Sequence, residues 1–143
     1  MKLVPVTPKQ TVALMGRWFY EAMICPQDPS LLEASLQGVE NFVIDCEGLA
    51  VGWLGLRAAE LDAVTLDLAV AKSYRGKWAT RDLLRQAAQV LFKDREFVLL
   101  HAKKPSAVKL ALSVGANPLY SNDMVRGGVF VLSRASFMKG RLH

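Results

Sequence analysis

Val12, Met15, Phe19 and Ala22 fall on one face of a 3.6-residue period, which predicts a helix from Pro8 to about Met23. Thr7 reads as its N-cap, Pro8 as its first position and Gln10 as the partner that reaches back in a capping box. Asp28 and Pro29 restart a second helix through Leu32 and Leu36 to about Gln37. The period then changes to two. Val64, Leu66, Leu68 and Val70 alternate with Thr65, Asp67 and Ala69, as a strand requires. Asn41–Cys46 and Leu49–Leu56 flank Glu47-Gly48, a tight hairpin signal, and Lys2–Val6 is a further short strand. Leu84, Ala87, Ala88 and Leu91 mark a third helix over about Ala79–Lys93, and Ala107, Leu110, Ala111 and Val114 a fourth, closed by Gly115. Between them Phe97–Ala102 is apolar throughout, which predicts a buried central strand. Leu119-Tyr120 and Val129–Ser133 complete the set as a hairpin.

The order is strand, two helices, three strands, helix, strand, helix, two strands. It predicts an α/β fold, a mixed sheet covered by helices. The strands ending at Val70 and starting at Phe97 are joined by a crossover helix and should run parallel. The expected core comprises Val12, Phe19, Val43, Leu54, Leu66, Leu68, Leu84, Leu91, Val98, Leu100, Leu110 and Val131.

Composition changes this picture little. A chain of 143 residues forms most simply one domain, residues 1–143, with room for a full core. Its net charge of +5 suits an acidic partner such as a phosphate-bearing cofactor. The basic residues are dispersed along the chain, which disfavours nucleic acid as the partner. Cys25 and Cys46 make no CxxC pair, so no metal site is expected. The amino-terminal stretch lacks the apolar run of a signal peptide, and Arg57, Glu60, Asp62 and Asp67 interrupt the longest apolar region. A cytoplasmic protein that does not engage the membrane is expected.

Chemistry enters at the stretch AVAKSYRGKWATRDLL, Ala69–Leu84, where a strand turns into a helix through a basic, glycine-containing segment. Such a turn aims unpaired backbone N–H groups and the helix dipole at one point, an arrangement suited to an anion. Leu68, Val70, Tyr74, Arg75, Gly76, Leu83 and Leu84 stand in register with the cofactor motif of the GNAT superfamily of N-acyltransferases, which the order of elements also resembles. The resemblance implies a GNAT-like fold, with a six- to seven-stranded mixed, mostly antiparallel sheet and about four flanking helices. It also implies acetyl-coenzyme A as co-substrate, no metal, and a small-molecule or protein amine as acceptor. A homodimer is compatible with it. Carried over residue by residue, the cofactor would be held by Leu68, Val70, Arg75, Gly76, Lys77, Trp78, Ala79 and Thr80, with Lys104 at the position of a family asparagine. Trp78 and Thr80 replace small residues of that motif, and Ala111 replaces the tyrosine that protonates the leaving thiolate.

Two side chains qualify as the proton acceptor. Asp67 lies in the strand that should line the acyl group, and His101 ends the apolar strand, where open α/β sheets place ligands. Trp18, Phe19 and Tyr20 could border an acceptor pocket, although an aromatic at helical spacing is more often core. Cys25 has no histidine nearby in sequence to activate it, and the ends of the chain, Lys139, Arg141 and His143, read as solvated. The losses at Trp78, Thr80, Lys104 and Ala111 also fit a second class, a catalytically silent GNAT-fold binding or assembly protein of bacteriophage type.

Overall fold

The computed structural model describes residues 1–15, 19, 28–58, 64–102, 105–120 and 128–140. Seven strands hydrogen-bond in the order β1-β2-β3-β4-β5-β7-β6, where β1 is Lys2–Val6, β2 Glu40–Cys46, β3 Leu49–Ala58, β4 Val64–Val70, β5 Phe97–Ala102, β6 Asn117–Tyr120 and β7 Gly128–Ser133. The sheet is mixed and mostly antiparallel: β4 and β5 run parallel, pairing Thr65 with Leu99 and Leu66 with Leu100. The pairs β1–β2, β2–β3, β5–β7 and β6–β7 are antiparallel. Five α-helices lie among the described residues: α1 Pro8–Leu14, α2 Pro29–Ser35, α3 Arg81–Leu91, α4 Pro105–Ser113 and α5 Arg134–Gly140. Two compact units divide the chain, residues 1–57 with 67–83 and residues 58–66 with 84–143.

In the first unit α1 starts as expected. Gln10 N–H donates to Thr7 Oγ1 at 3.1 Å, and Thr7 N–H donates to Gln10 Oε1 at 2.9 Å. The helix breaks at Met15, which is extended at ψ 135°, and Phe19 further along the apolar stripe is again helical. Residues 16–18 and 20–27, including Trp18, Tyr20 and Cys25, lie outside the described residues. Asp28 caps α2, accepting from Ser30 N–H at 2.9 Å. The β2–β3 hairpin turns on Glu47 and Gly48, at φ 52° and 87°, the paired positive values that a two-residue turn of this hand needs. Asp45 Oδ2 accepts the Gly48 N–H at 3.1 Å.

The core of this unit is built around Trp53, which is fully buried and meets Phe19 edge to face, the ring centroids 5.4 Å apart. Its indole N–H donates to Asn41 Oδ1 at 2.9 Å, and Asn41 Nδ2 donates to the Val39 carbonyl at 2.9 Å. A buried amide is thereby satisfied on both sides, so its burial carries no unpaired-group penalty. A second cluster joins Ile44, Val51, Val70 and Leu83.

In the second unit α3 packs Leu84, Ala87 and Leu91 inward, and α4 buries Val108 and Ala111. Leu110 and Val131, expected in the core, are only half-buried, as are Val12, Leu66, Leu68 and Leu100. In β7 the inward residues are Phe130 and Leu132. The run Val129–Leu132 is apolar at every position, so alternation along it carries no information about which face is inside. For the same reason β5 is less enclosed than its composition suggests, with Phe97 exposed.

The helix α5 was not anticipated. Ser133 Oγ caps it, accepting the Ser136 N–H at 3.1 Å, and Phe137 is buried against Phe92 with ring centroids 6.0 Å apart. Arg134 donates to the Phe92 carbonyl and so ties this helix to the carboxyl-terminal end of α3. The approach is close: Gly115, at φ +93°, would place a Cβ 2.6 Å from the Ser136 carbonyl oxygen. Gly115→Ala should therefore lower stability by about 2 kcal/mol, from left-handed backbone strain and overpacking together. Chemical denaturation of the variant and parent measures this; an unchanged midpoint would show that α5 is free to move aside.

Candidate functional site

The expected site lies within the first unit, where β4 ends. Ala71 N–H donates to the Val51 carbonyl at 2.8 Å, and a Cβ on Gly52 would lie 3.2 Å from Ala69 O. The backbone groups of Ala69 and Ala71 therefore face β3. Strand backbone groups alternate in direction, so those of Leu68 and Val70 point to the opposite edge. Two residues of the motif thus present N–H and C=O groups in a row along one edge, while the side chains of Val70 and Leu68 pack into or against the Ile44 cluster.

Beyond β4 the chain forms a single 3-10 turn, Lys72–Tyr74, and then a tight bend in which Gly76 adopts φ +83°. Glycine fits here because the left-handed conformation is costly for residues with a Cβ. The expected array of free amides is only partly present. Lys77 and Trp78 N–H both donate to the Tyr74 carbonyl, at 3.0 and 3.1 Å, and Thr80 N–H donates to the Trp78 carbonyl at 2.9 Å. Among the described residues Gly76 and Ala79 N–H have no backbone acceptor. Thr80 acts as the N-cap of α3, its Oγ1 accepting from Leu83 N–H at 3.2 Å. Its replacement of a small residue has a local purpose.

Arg75, expected to face the anion, folds back. Its Nε donates to the Val70 carbonyl at 3.3 Å in a partly buried position. The side chains of Lys72 and Lys77 stay exposed. Trp78 is half-buried and packs with Tyr74 against Ile44, Val51, Val70 and Leu83, so the tryptophan is held on the core of its own unit.

Asp67 is engaged as well. Arg57 Nε lies 3.5 Å from its Oδ2, and Arg57 Nη1 donates to the Ser35 carbonyl at 3.3 Å. Both side chains are partly exposed, so the pair adds little stability but does fix a direction for the carboxylate. His101 belongs to the second unit, exposed on β5 opposite Val129. The structure does not group it with the turn. Lys104 lies outside the described residues. A cleft of about 270 Å³ opens between α1 and α2, lined by Lys9, Val12, Ala13, Pro29, Ser30 and Glu33. Neither it nor Arg57 was singled out from sequence. The cleft's signal was helical spacing on α1 and α2, which a core face produces equally, and Arg57, on β3, carried none.

No described helix is long and apolar enough to cross a membrane, and the described residues contain no cluster of three metal-binding side chains. No protein-family model matches the chain, and no curated protein matches it. Solved structures do. A spermidine N-acetyltransferase chimera of Vibrio cholerae SpeG and hSSAT superposes with TM-score 0.70 at 14% identity, covering 97% of this chain and 99% of that one. An N-acetyltransferase from Staphylococcus aureus Mu50 gives 0.68 at 15% identity, over 93% and 98%. The aminoglycoside acetyltransferase AAC(6')-Ib in complex with coenzyme A and kanamycin gives 0.71 at 17% identity, over 96% and 97%. The fold is that of the GNAT N-acetyltransferases.

Proposed function

We propose that this chain is an acetyl-coenzyme-A-dependent N-acyltransferase that moves an acyl group to an amine. The observation that carries it is the β4 edge: Leu68 and Val70 turn their backbone groups away from β3 in a row, the Val70 carbonyl accepting from Arg75, and the Tyr74-Arg75-Gly76 turn with its exposed lysines follows. Coenzyme A joins an amide-bearing arm to a pyrophosphate, and that sequence of groups matches it. Three superposed folds belong to N-acetyltransferases, one of them with coenzyme A bound. β4 and α3 contribute residues to both units, which supports residues 1–143 working as one catalytic domain.

Transfer needs an oxyanion donor, a base for the attacking ammonium and a proton for the leaving sulfur. Leu68 N–H donates to the thioester oxygen as charge develops there. Val70 C=O accepts from the amide arm, and Lys77 balances the pyrophosphate. Asp67, beside Leu68 on β4 and oriented by Arg57, takes the amine proton. Ala111 is buried and carries no acid, so solvent protonates the thiolate.

Coenzyme A at a hundred times its dissociation constant should raise unfolding free energy by about 2.7 kcal/mol. A thermal melt that does not move with millimolar coenzyme A overturns the proposal. The bonded turn amides and Ala111 favour a second reading, a silent binding copy of the fold. Coenzyme A binding without turnover on any amine would select it.

A further inference from the structure

We infer that Arg75 is a latch on the β4 edge, which a ligand must displace, and that it is not the ligand's anion partner. This rests on the cofactor reading above. Three observations converge. The Arg75 Nε occupies the Val70 carbonyl at 3.3 Å. That carbonyl points away from β3, because Ala71 N–H, one residue on, bonds Val51 at 2.8 Å. The turn's amides at Lys77, Trp78 and Thr80 are spent on Tyr74 and Trp78 carbonyls.

The turn is therefore largely self-satisfied: its own side chain and carbonyls take places a ligand would take, while among the described residues the Gly76 and Ala79 N–H groups have no backbone acceptor. An extended chain laid along β4 needs the Val70 carbonyl as acceptor for its amide N–H. It must share that oxygen with the Arg75 Nε or displace it, and either way the net gain is reduced. Gly76 beside it, with φ +83° and open space where a Cβ would be, is the residue about which the turn can re-form. A guanidinium acting as anion partner would point its fork outward, as bidentate pairing with a phosphate requires. Here the Nε, one arm of that fork, is engaged with the Val70 carbonyl, although Arg75 as a whole is exposed.

The two roles separate by ligand. Pantetheine carries the amide arm without any phosphate, so it reads the latch alone, while coenzyme A reads latch and anion pairing together. Calorimetric titration of the full chain with each compound, at two salt concentrations, should show Arg75→Ala binding both about threefold to tenfold more tightly than the parent. Its salt dependence for coenzyme A should be unchanged. Arg75→Gln keeps an N–H donor for the Val70 carbonyl and should match the parent. Weaker coenzyme A binding by Arg75→Ala, with a flatter salt dependence, makes Arg75 an anion ligand and overturns the latch while the cofactor reading stands. Unchanged pantetheine affinity overturns it too. Binding of coenzyme A by neither parent nor variant overturns both proposals. Binding by Arg75→Ala alone supports the latch at full strength.

Discussion

Trp53→Ala is expected to cost about 3–5 kcal/mol of stability, a large part of what a domain of this size holds in total. The indole is fully buried in the cluster of Phe19, Leu32, Leu36, Val39 and Val43. The neighbouring backbone makes room for it: a Cβ on Gly55 would sit 2.3 Å from the Trp53 ring. Truncation removes the edge-to-face contact with Phe19 and strands Asn41, whose Oδ1 accepts the indole N–H at 2.9 Å. A cavity term and an unpaired buried acceptor therefore add to the lost transfer free energy. Trp53→Phe keeps most of the volume and strands only Asn41, so it should lose about 1–3 kcal/mol. Urea unfolding followed by circular dichroism reports both. A loss under about 1 kcal/mol for the alanine variant would mean that the strands close over the gap and that the packing around it is not rigid.

Leu68→Pro should reduce acyl transfer by about 10²–10³-fold, the usual effect of deleting one oxyanion donor. Proline removes the Leu68 N–H, which points away from β3, and fixes φ at that residue. The β3 side is served by Ala69 and Ala71, and β4 pairs with β5 at Thr65 and Leu66, so Leu68 lies past the paired stretch of this interior strand. The half-buried Leu68 side chain also packs against the Ile44 cluster, and its loss must be separated from the loss of the N–H. Leu68→Ala supplies that control: it loses the packing and keeps the donor. Turnover of acetyl-coenzyme A is compared between the two variants with spermidine and kanamycin as amine probes. Equal turnover by Leu68→Pro and Leu68→Ala would remove Leu68 from the catalytic assignment.

Several elements were legible because the information is local. The Thr7–Gln10 box, the Glu47-Gly48 turn and the bounds of Val64–Val70 depend on residues within a few positions of one another. α5 also carried a legible signal, Ser133 before a helix-compatible stretch with Phe137 facing in, but its basic residues suggested a solvated tail. The ends of α1 and the inward face of β7 were not legible. Met15 turns extended despite the continuing stripe, and a uniformly apolar strand has no preferred face until something packs on it.

The same division runs through the candidate site. The sequence by itself determined that a strand meets a helix at residues 70–81 through a turn that contains Gly76, and that lysines flank it. These follow from backbone sterics and residue type. Only the tertiary structure decided where the donors went: Arg75 onto Val70, two amides onto Tyr74, Trp78 onto the cluster beneath β4, Arg57 onto Asp67. A donor takes whichever acceptor the packed chain brings within about 3 Å, and a long, rotatable side chain has many within reach. That choice is made by three-dimensional proximity, which no spacing along the chain records.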